Sequence, residues 1–471
     1  MRLTEGRYRM RVKMQNLLKA VVLGTVSFAP GASGAESLTD ALISAYRNSH
    51  LLEQNQAVLR AADEDVATAV GTLRPVINFV TKLAYSHNEF TFSPANTDTT
   101  NGTMSLVASV TLFDSGRGAA SVAIKNELVF AAQAALVNIE QQVLLDAVSA
   151  YVNLKLQIEL VAAQESNVRL ISQDLKAARD KFDVGEVTKT DVALAEAQLA
   201  SANASLASAQ GNVNVARERY NAAIGHYPNQ LSGLPRTPIT VKTVAEARAI
   251  ALRSHPTVVE AQHQAKAADL GLELSRLQFQ PKINATSSLT ENFDKNGLGT
   301  ANGSLGVEID QTIYAGGQLS SGFRKSIASL AQAHAAQLQT GVIVTEAVGK
   351  AWSNILVAGA SITANTEQIR AAQAAYDGVK QEADLGSRTT LDVLNAEQTL
   401  LTAKASSLQA QANLYVSQYS LLSAMGLLTA DHLHLGIPTF DPQAYYNAVK
   451  NAPATSTRGA KLDRILKTLG K

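Results

Sequence analysis

The sequence has no cysteine in its 471 residues. That excludes a disulfide framework, a thiolate metal site, a cysteine nucleophile and an acylated N-terminal cysteine. Aromatic residues make up only 5% and tryptophan occurs once, while hydrophobic residues reach 46%. Ala and Leu rather than rings must therefore fill the core, which suits long thin helices better than a broad globule. Charge is sparse and balanced, with 41 Lys and Arg against 40 Asp and Glu, so nothing resembles a nucleic-acid footprint. His432 and His434 do not share a helix face, and Gly341 and Gly349-Lys350 miss phosphate-loop spacing. With no nucleophile elbow or paired zinc-binding histidine motif, neither catalysis nor a cofactor or metal is expected.

Long hydrophobic runs are also missing. Arg2, Arg7, Arg9, Arg11 and Lys13 precede an apolar run from Ala20 to Ala29, and Ser33-Gly34-Ala35 supplies small residues. Residues 1–35 therefore read as a signal peptide cleaved after Ala35. Ten or so apolar residues fall short of the roughly 20 that a spanning helix needs, and no later stretch is expected to be one. Loss of the signal takes the formal charge from +1 to about −4.

What is present is repetition. Phe182 to Gln198, FDVGEVTKTDVALAEAQ, returns 201 residues later as ADLGSRTTLDVLNAEQT, Ala383 to Thr399. Gly185 and Gly386 suit a left-handed C-cap. Thr190 before Asp191, and Thr389 and Thr390 before Asp392, offer N-terminal capping groups for a returning helix. Around each turn apolar residues recur every seven positions, through Leu154, Val161, Val168 and Leu175 to Phe182, then Val192, Leu199, Leu206, Val213 and Tyr220. The second copy has Ile355, Ile362, Ile369 and Tyr376, then Leu394, Leu401, Leu408, Tyr415 and Leu422. Such stripes specify coiled-coil hairpins. No proline occurs from Ala95 to Tyr227 or from Lys282 to Ile437, so the helix from about Ala119 to Lys181 can run roughly 60 residues, near 90 Å. The returning helix is about half as long, and stacking Leu51 to Leu73 on it would complete a uniform wall.

Strand patterns precede each hairpin. Ile77, Phe79, Leu83 and Tyr85 alternate with polar residues, as do Met104, Leu106, Val110 and Leu112, with His87 to Gly102 expected as a polar loop. A second pair follows, with Ile283, Ala285 and Leu289, then Leu305, Val307, Ile309 and Ile313. Arg253 matches Arg47 and Pro281-Lys282-Ile283-Asn284 matches Pro75-Val76-Ile77-Asn78, both 206 residues apart, so the chain is a tandem duplication. The expected organisation is a signal peptide (1–35), a first repeat (36–225) with β-hairpin 76–113 and coiled-coil hairpin 119–223, and a linker (226–242). A second repeat (243–426) follows, with β-hairpin 282–314 and coiled-coil hairpin 318–424, then a C-terminal segment (427–471) that either wraps the outside of the helices or remains mobile. The fold class is mainly α with a small β part. Apolar outer faces and an inner face with Lys82, Glu308 and Asp310 fit a transmembrane barrel, and four strands cannot close one, so chains must share it.

The ordered strand hairpins and long helices, the turns FDVGEVTKTDV and LGSRTTLDVLNAEQTL, and the closing SLLSAMGLL resemble the TolC family of outer-membrane efflux and secretion channels. The resemblance covers about Ala35 to Leu435. It implies a homotrimer whose strands form a twelve-stranded barrel in outer-membrane lipid, continued by an α-helical tunnel into the periplasm. Its implied partners are an inner-membrane ABC or RND transporter and a periplasmic adaptor, its implied cargo proteins (type I secretion) and/or small toxic compounds, with the missing lipoprotein cysteine and the TolC-like tip leaning mildly towards secretion. The same resemblance makes Asp191, Arg388, Asp392 and Asn395 the candidate periplasmic gate, with Gly185 and Gly386 at the turns and Arg388 pairing with Asp191 of a neighbouring chain. Two positions depart from the family's pattern: Ala383 replaces a gate tyrosine, and Asn395 a constriction aspartate. A helix-capping role for Asp191 and Asp392 stands beside gating. The alternative function is a soluble periplasmic coiled-coil adaptor or structural protein, which would more simply carry one hairpin than two.

Overall fold

The computed structural model describes residues 35–88, 97–237, 241–294, 297, 299–454, 460, 461 and 464. The expected signal peptide, apart from Ala35, and the end of the tail lie outside them. Ser37 opens α1 (Leu38–Asn48) with a capping box to Asp40, and Ser49 caps α2 (His50–Gly71). Strands β1 (Val76–Asn88) and β2 (Thr97–Phe113) lead into α3 (Arg117–Asp183), which α4 (Lys189–Ile224) follows. The order then repeats as α5 (Val244–Ser254), α6 (Pro256–Leu277), β3 (Lys282–Asp294), β4 (Gly299–Asp310), α7 (Gln318–Asp384) and α8 (Thr390–Ala424), before the short α9 (Pro442–Val449).

The proline-free stretches become two helices of 67 residues each, about 100 Å at 1.5 Å per residue. Each lies beside two shorter helices placed end to end. Helices α2 and α4 both pack on α3, while α6 and α8 lie between the two long helices, α6 packing chiefly on α3 and α8 chiefly on α7. The shorter helices meet at glycines. Gly225 (φ +94°) brings its Cα against Asn48, whose Nδ2 donates to the Ile224 carbonyl at 3.1 Å. Gly426 (φ +78°) sits so close to the His255 backbone that an added Cβ would lie 2.7 Å from its Cα. Any other residue would have both a strained φ and a collision there.

The largest core lies at mid-length, where Leu38, Leu144, Tyr151, Tyr220, Leu421 and Leu428 are buried together. Tyr151 Oη donates to the Glu36 carbonyl at 2.9 Å and Tyr415 Oη to the Pro235 carbonyl at 3.0 Å, so this belt ties the segment before α1 and the segment between α4 and α5 to the long helices. The C-terminal segment is strapped here too. The Ala430 amide donates to Glu140 at 2.7 Å, Tyr446 Oη to Asn126 at 3.0 Å and Tyr445 Oη to Glu64 at 2.7 Å. Away from the belt, the seams are narrow: Ala195, Ala202, Ala403 and Ala410 are buried, letting helix backbones approach closely. One amendment concerns membrane spans. By length and composition α3 is apolar enough to cross a membrane, but it packs against α1, α2, α4, α6 and α8.

The four strands form one antiparallel sheet in the order β1-β2-β3-β4. Phe79 pairs with Leu106, Leu106 with Leu289, Ile283 with Ile309 and Ala285 with Val307. The separate alternations therefore fall on one face. The other face carries a polar ladder in which Thr103 donates to Asn292 at 3.1 Å, Ser105 and Thr290 are 3.1 Å apart, and Ser288 and Ser304 are 2.8 Å apart. Two strand expectations need correction. The stretch from His87 to Gly102 is mostly strand at its ends: Thr97 to Gly102 pair with Asn88 to Leu83, because Thr-rich sequence holds a pleat whether or not an apolar face is needed. Residues 89–96 lie outside the described residues. In the second hairpin β4 stops at Asp310, not at residue 314, leaving Ile313 95% exposed. The ladder simply runs out, since Asp310 already pairs with the first residue of β3, Lys282. Strand β2 reaches Phe113 only through a bulge opposite Ile283.

Candidate functional site

The far ends of the two coiled-coil hairpins lie beside one another and enclose a cleft of ≈ 520 Å³ whose charged lining includes Asp174, Lys181, Asp191, Lys380, Asp384 and Arg388. Both turns are built alike. The Glu186 amide donates to the Lys181 carbonyl and the Ser387 amide to the Glu382 carbonyl, each at 2.9 Å. Gly185 (φ +80°) and Gly386 (φ +78°) supply the left-handed residue that this closure requires.

The returning helices are opened by capping boxes. In α8, Thr389 is the N-cap: its amide and hydroxyl donate to Asp392 Oδ2 at 3.0 and 2.8 Å, and the Asp392 amide donates to Thr389 Oγ1 at 3.3 Å. In α4 the cap is Thr188, not Thr190, because the box needs its acid three residues on. The Thr188 amide and hydroxyl donate to Asp191 Oδ2 at 2.9 and 2.7 Å. These bonds hold both carboxyls below the usual range, Asp191 chiefly through the Thr188 hydroxyl and Asp392 chiefly through the Thr389 amide. Asp191 and Asp392 are thus helix caps in the single chain. Arg388 Nε donates to Glu382 Oε2 at 2.8 Å, an ion pair across its own turn. The structure therefore brings Asp191 and Arg388 to one cleft with each engaged by its own turn. Asn395 is exposed one turn beyond Asp392, and Ala383 packs against the small apolar cluster of Ala372, Tyr376, Val393 and Leu400.

Sequence reasoning overlooked the charges joining the hairpins. Lys181 of α3 reaches Asp384 of α7 at 3.6 Å, and Lys380 of α7 reaches Asp174 of α3 at 3.8 Å, so the pairs run in opposite directions across the joint. Lys380 also donates to Tyr376 Oη at 3.2 Å. Behind them Glu397 of α8 is only 3% exposed, and neither carboxyl oxygen has a hydrogen-bond partner. Burial, reinforced by the charge of Asp174, pushes its pKa up to about 7. Burial likewise raises that of Asp174. A signal was there to be read: Glu397 lies three residues after Leu394 and four before Leu401, an acid on the apolar stripe.

Nothing in this cleft has the constellation of a catalytic centre; it is a joint between rods. A bilayer-compatible sheet at one end of a helical wall about 100 Å long, with such a joint at the other end, defines the class of outer-membrane channel-tunnels. The family model described as outer membrane efflux protein matches residues 42–226 and 248–427, and the chain belongs to that family. The outer membrane efflux protein BepC of Brucella suis biovar 1 (strain 1330) is 34% identical over 453 residues, 94% of this chain and 97% of that one. The outer membrane protein TolC of Escherichia coli (strain K12) is 24% identical over 96% of this chain and 94% of its own. Among solved structures, the Campylobacter jejuni outer membrane channel CmeC superposes with a TM-score of 0.73 at 15% identity, covering 95% of this chain and 98% of that one. The open-state Neisseria gonorrhoeae channel MtrE gives 0.69 at 20% identity over 83% and 88%. The protein is an outer-membrane efflux channel and not an enzyme, and its strands are those of a transmembrane β-barrel.

Proposed function

We propose that three copies close into one conduit that takes cargo from an inner-membrane ABC or RND transporter through a periplasmic adaptor and releases it outside. The carrying observation is that both edges of the chain are open and complementary in kind. Among the described residues β1 and β4 each have one strand neighbour, and unpaired edges are not tolerated in lipid. In the wall, α7 leaves Leu338, Val342, Leu356 and Val357 exposed, and the opposite edge leaves Val58 of α2 and Val215 of α4 exposed. An up-down order of four strands leaves β4 antiparallel to the next copy's β1, so the sheet closes without a change of direction.

The cargo we favour is small toxic compounds, supported by the efflux description of the Brucella relative. Type I protein secretion is the second reading, favoured by the TolC-like tip LGSRTTLDVLNAEQTL. In either case Arg388 and Asp191 of neighbouring chains would latch the mouth, with Asp392 and Asn395 lining it and Gly185 and Gly386 shaping the turns. Native mass measurement of detergent-extracted protein, with crosslinking in cells to adaptors, tests the assembly. A trimer that captures an adaptor supports it, and a folded, inserted monomer refutes it. Loss of compound resistance with intact secretion in a deletion strain selects efflux, and the converse selects secretion.

A further inference from the structure

The two hairpins of one chain each have their own turn and capping box, and α3 and α4 of the first meet α8 of the second. Near the tips, around the cleft, they are joined by the long ion pairs Lys181–Asp384 and Lys380–Asp174, at 3.6 and 3.8 Å, and by a small apolar cluster of Ile171 and Ala202 with Leu394. Glu397 lies at this joint. From α3 it faces Asp174 and from α7 Lys380, with Tyr376 beside that lysine. Helix α4 offers the seam Leu199 and Ala202, and α8 itself Leu394. A carboxyl 3% exposed and without a hydrogen-bond partner costs a great deal when ionised and little when protonated. Parting the hairpins would admit water and reverse that preference.

We propose that Glu397, with Asp174 and Lys380, forms a proton-sensitive clasp between the two hairpins of one chain: protonated it lets the tip pack shut, and ionised it loosens the joint. The inference rests on the reading of these tips as the periplasmic mouth. It concerns contacts within one chain, whereas the Arg388–Asp191 latch would act between chains. The direction follows from the chemistry. A carboxyl whose packed-state pKa is raised stabilises the packed state fully below its ordinary value, near 4.5, and that stabilisation is lost as pH rises through about 7. Acid therefore closes the clasp. Asp174 is raised too and acts in the same direction, while Tyr376 and Asp174 outweigh the burial of Lys380 and keep it protonated throughout that window.

Hydrogen–deuterium exchange on the full-length protein in detergent, corrected for the intrinsic pH dependence of exchange, reads the joint without requiring transport or any partner. Between pH 8 and pH 5.5 protection of segments 168–181, 376–384 and 393–404 should rise roughly tenfold in the unaltered protein. Glu397→Gln should keep protection high at both values, with only the smaller dependence that Asp174 supplies, and Asp174→Asn should reduce the pH dependence without abolishing it. Single-channel conductance should follow the same order. Equal protection at the two pH values in the unaltered protein, or a Gln variant that keeps the full pH response, overturns the clasp. Clasp behaviour in exchange with no matching change in conductance would retain it but refute the assignment of these tips as the mouth.

Discussion

The register of the sheet makes a quantitative demand at Leu106. It sits in the middle of β2, pairs with Phe79 on one side and Leu289 on the other, and is 44% exposed on the apolar face. An Arg there must place a guanidinium among lipid tails near mid-membrane, at a cost of about 2–4 kcal/mol per chain, or about three times that for a trimer in which every copy carries it. Its neighbour Ser105 is at the same depth on the opposite face, 3.1 Å from Thr290 in the polar ladder, so Ser105→Arg projects into the lumen and should cost under about 1 kcal/mol. Ile309→Arg is a graded case. Ile309 shares the apolar face but is the second-last residue of β4, close to the interface, and should cost only about 0–1 kcal/mol. Denaturant titration of protein refolded into vesicles, with gel mobility of unboiled samples as a second readout, gives the order Leu106→Arg far below Ile309→Arg and Ser105→Arg. Equal stability of Leu106→Arg and Ser105→Arg would mean that the lipid-facing side has been misassigned by one residue in every strand.

Other outcomes follow from single positions. Arg388→Ser and Asp191→Asn should each raise single-channel conductance in planar bilayers, with little further gain in the double variant; no change in either single variant removes the latch and leaves both residues as turn and cap groups. Gly426→Ala combines a φ of +78° with a Cβ 2.7 Å from the His255 Cα, whereas Gly185→Ala has a similar φ and open space around it; thermal unfolding should show losses of about 2–4 and about 1 kcal/mol respectively, and equal losses would contradict the close helix junction. Asp63 is 1% exposed, and burial, with the charge of Glu64, raises its pKa to about 6. Its stabilising contribution is complete below its ordinary value of 3.8 and lost as pH rises through about 6, so the unaltered protein should melt higher at pH 5 than at pH 8 while Asp63→Asn reduces that difference, Glu397 and Asp174 supplying the rest; an unchanged difference would leave Asp63 with no part in the pH dependence.

Much of this architecture was legible because it depends on periodicity, which is a property of the chain alone. Seven-residue stripes, proline-free stretches and the echoed turns specify two long hairpins, since each helix must keep one seam against its partner wherever that partner lies. The strand alternations gave the right faces for the same reason: a pleat has period two regardless of its neighbours. Strand ends were less legible. Whether Thr97 to Gly102 pair, or 311–314 do not, depends on what lies across the ladder. The cap of α4 was misplaced by two residues because two threonines, Thr188 and Thr190, lie there and only the fold selects Thr188. What tertiary structure alone decided is where charge is trapped. The sequence puts Glu397 on an apolar stripe, but only the packing of α3 and α7 against α8 buries it beside Asp174 and within the field of Lys380. Burial and the distance between groups far apart in sequence set the energy of a charge, and no pattern along one chain encodes either.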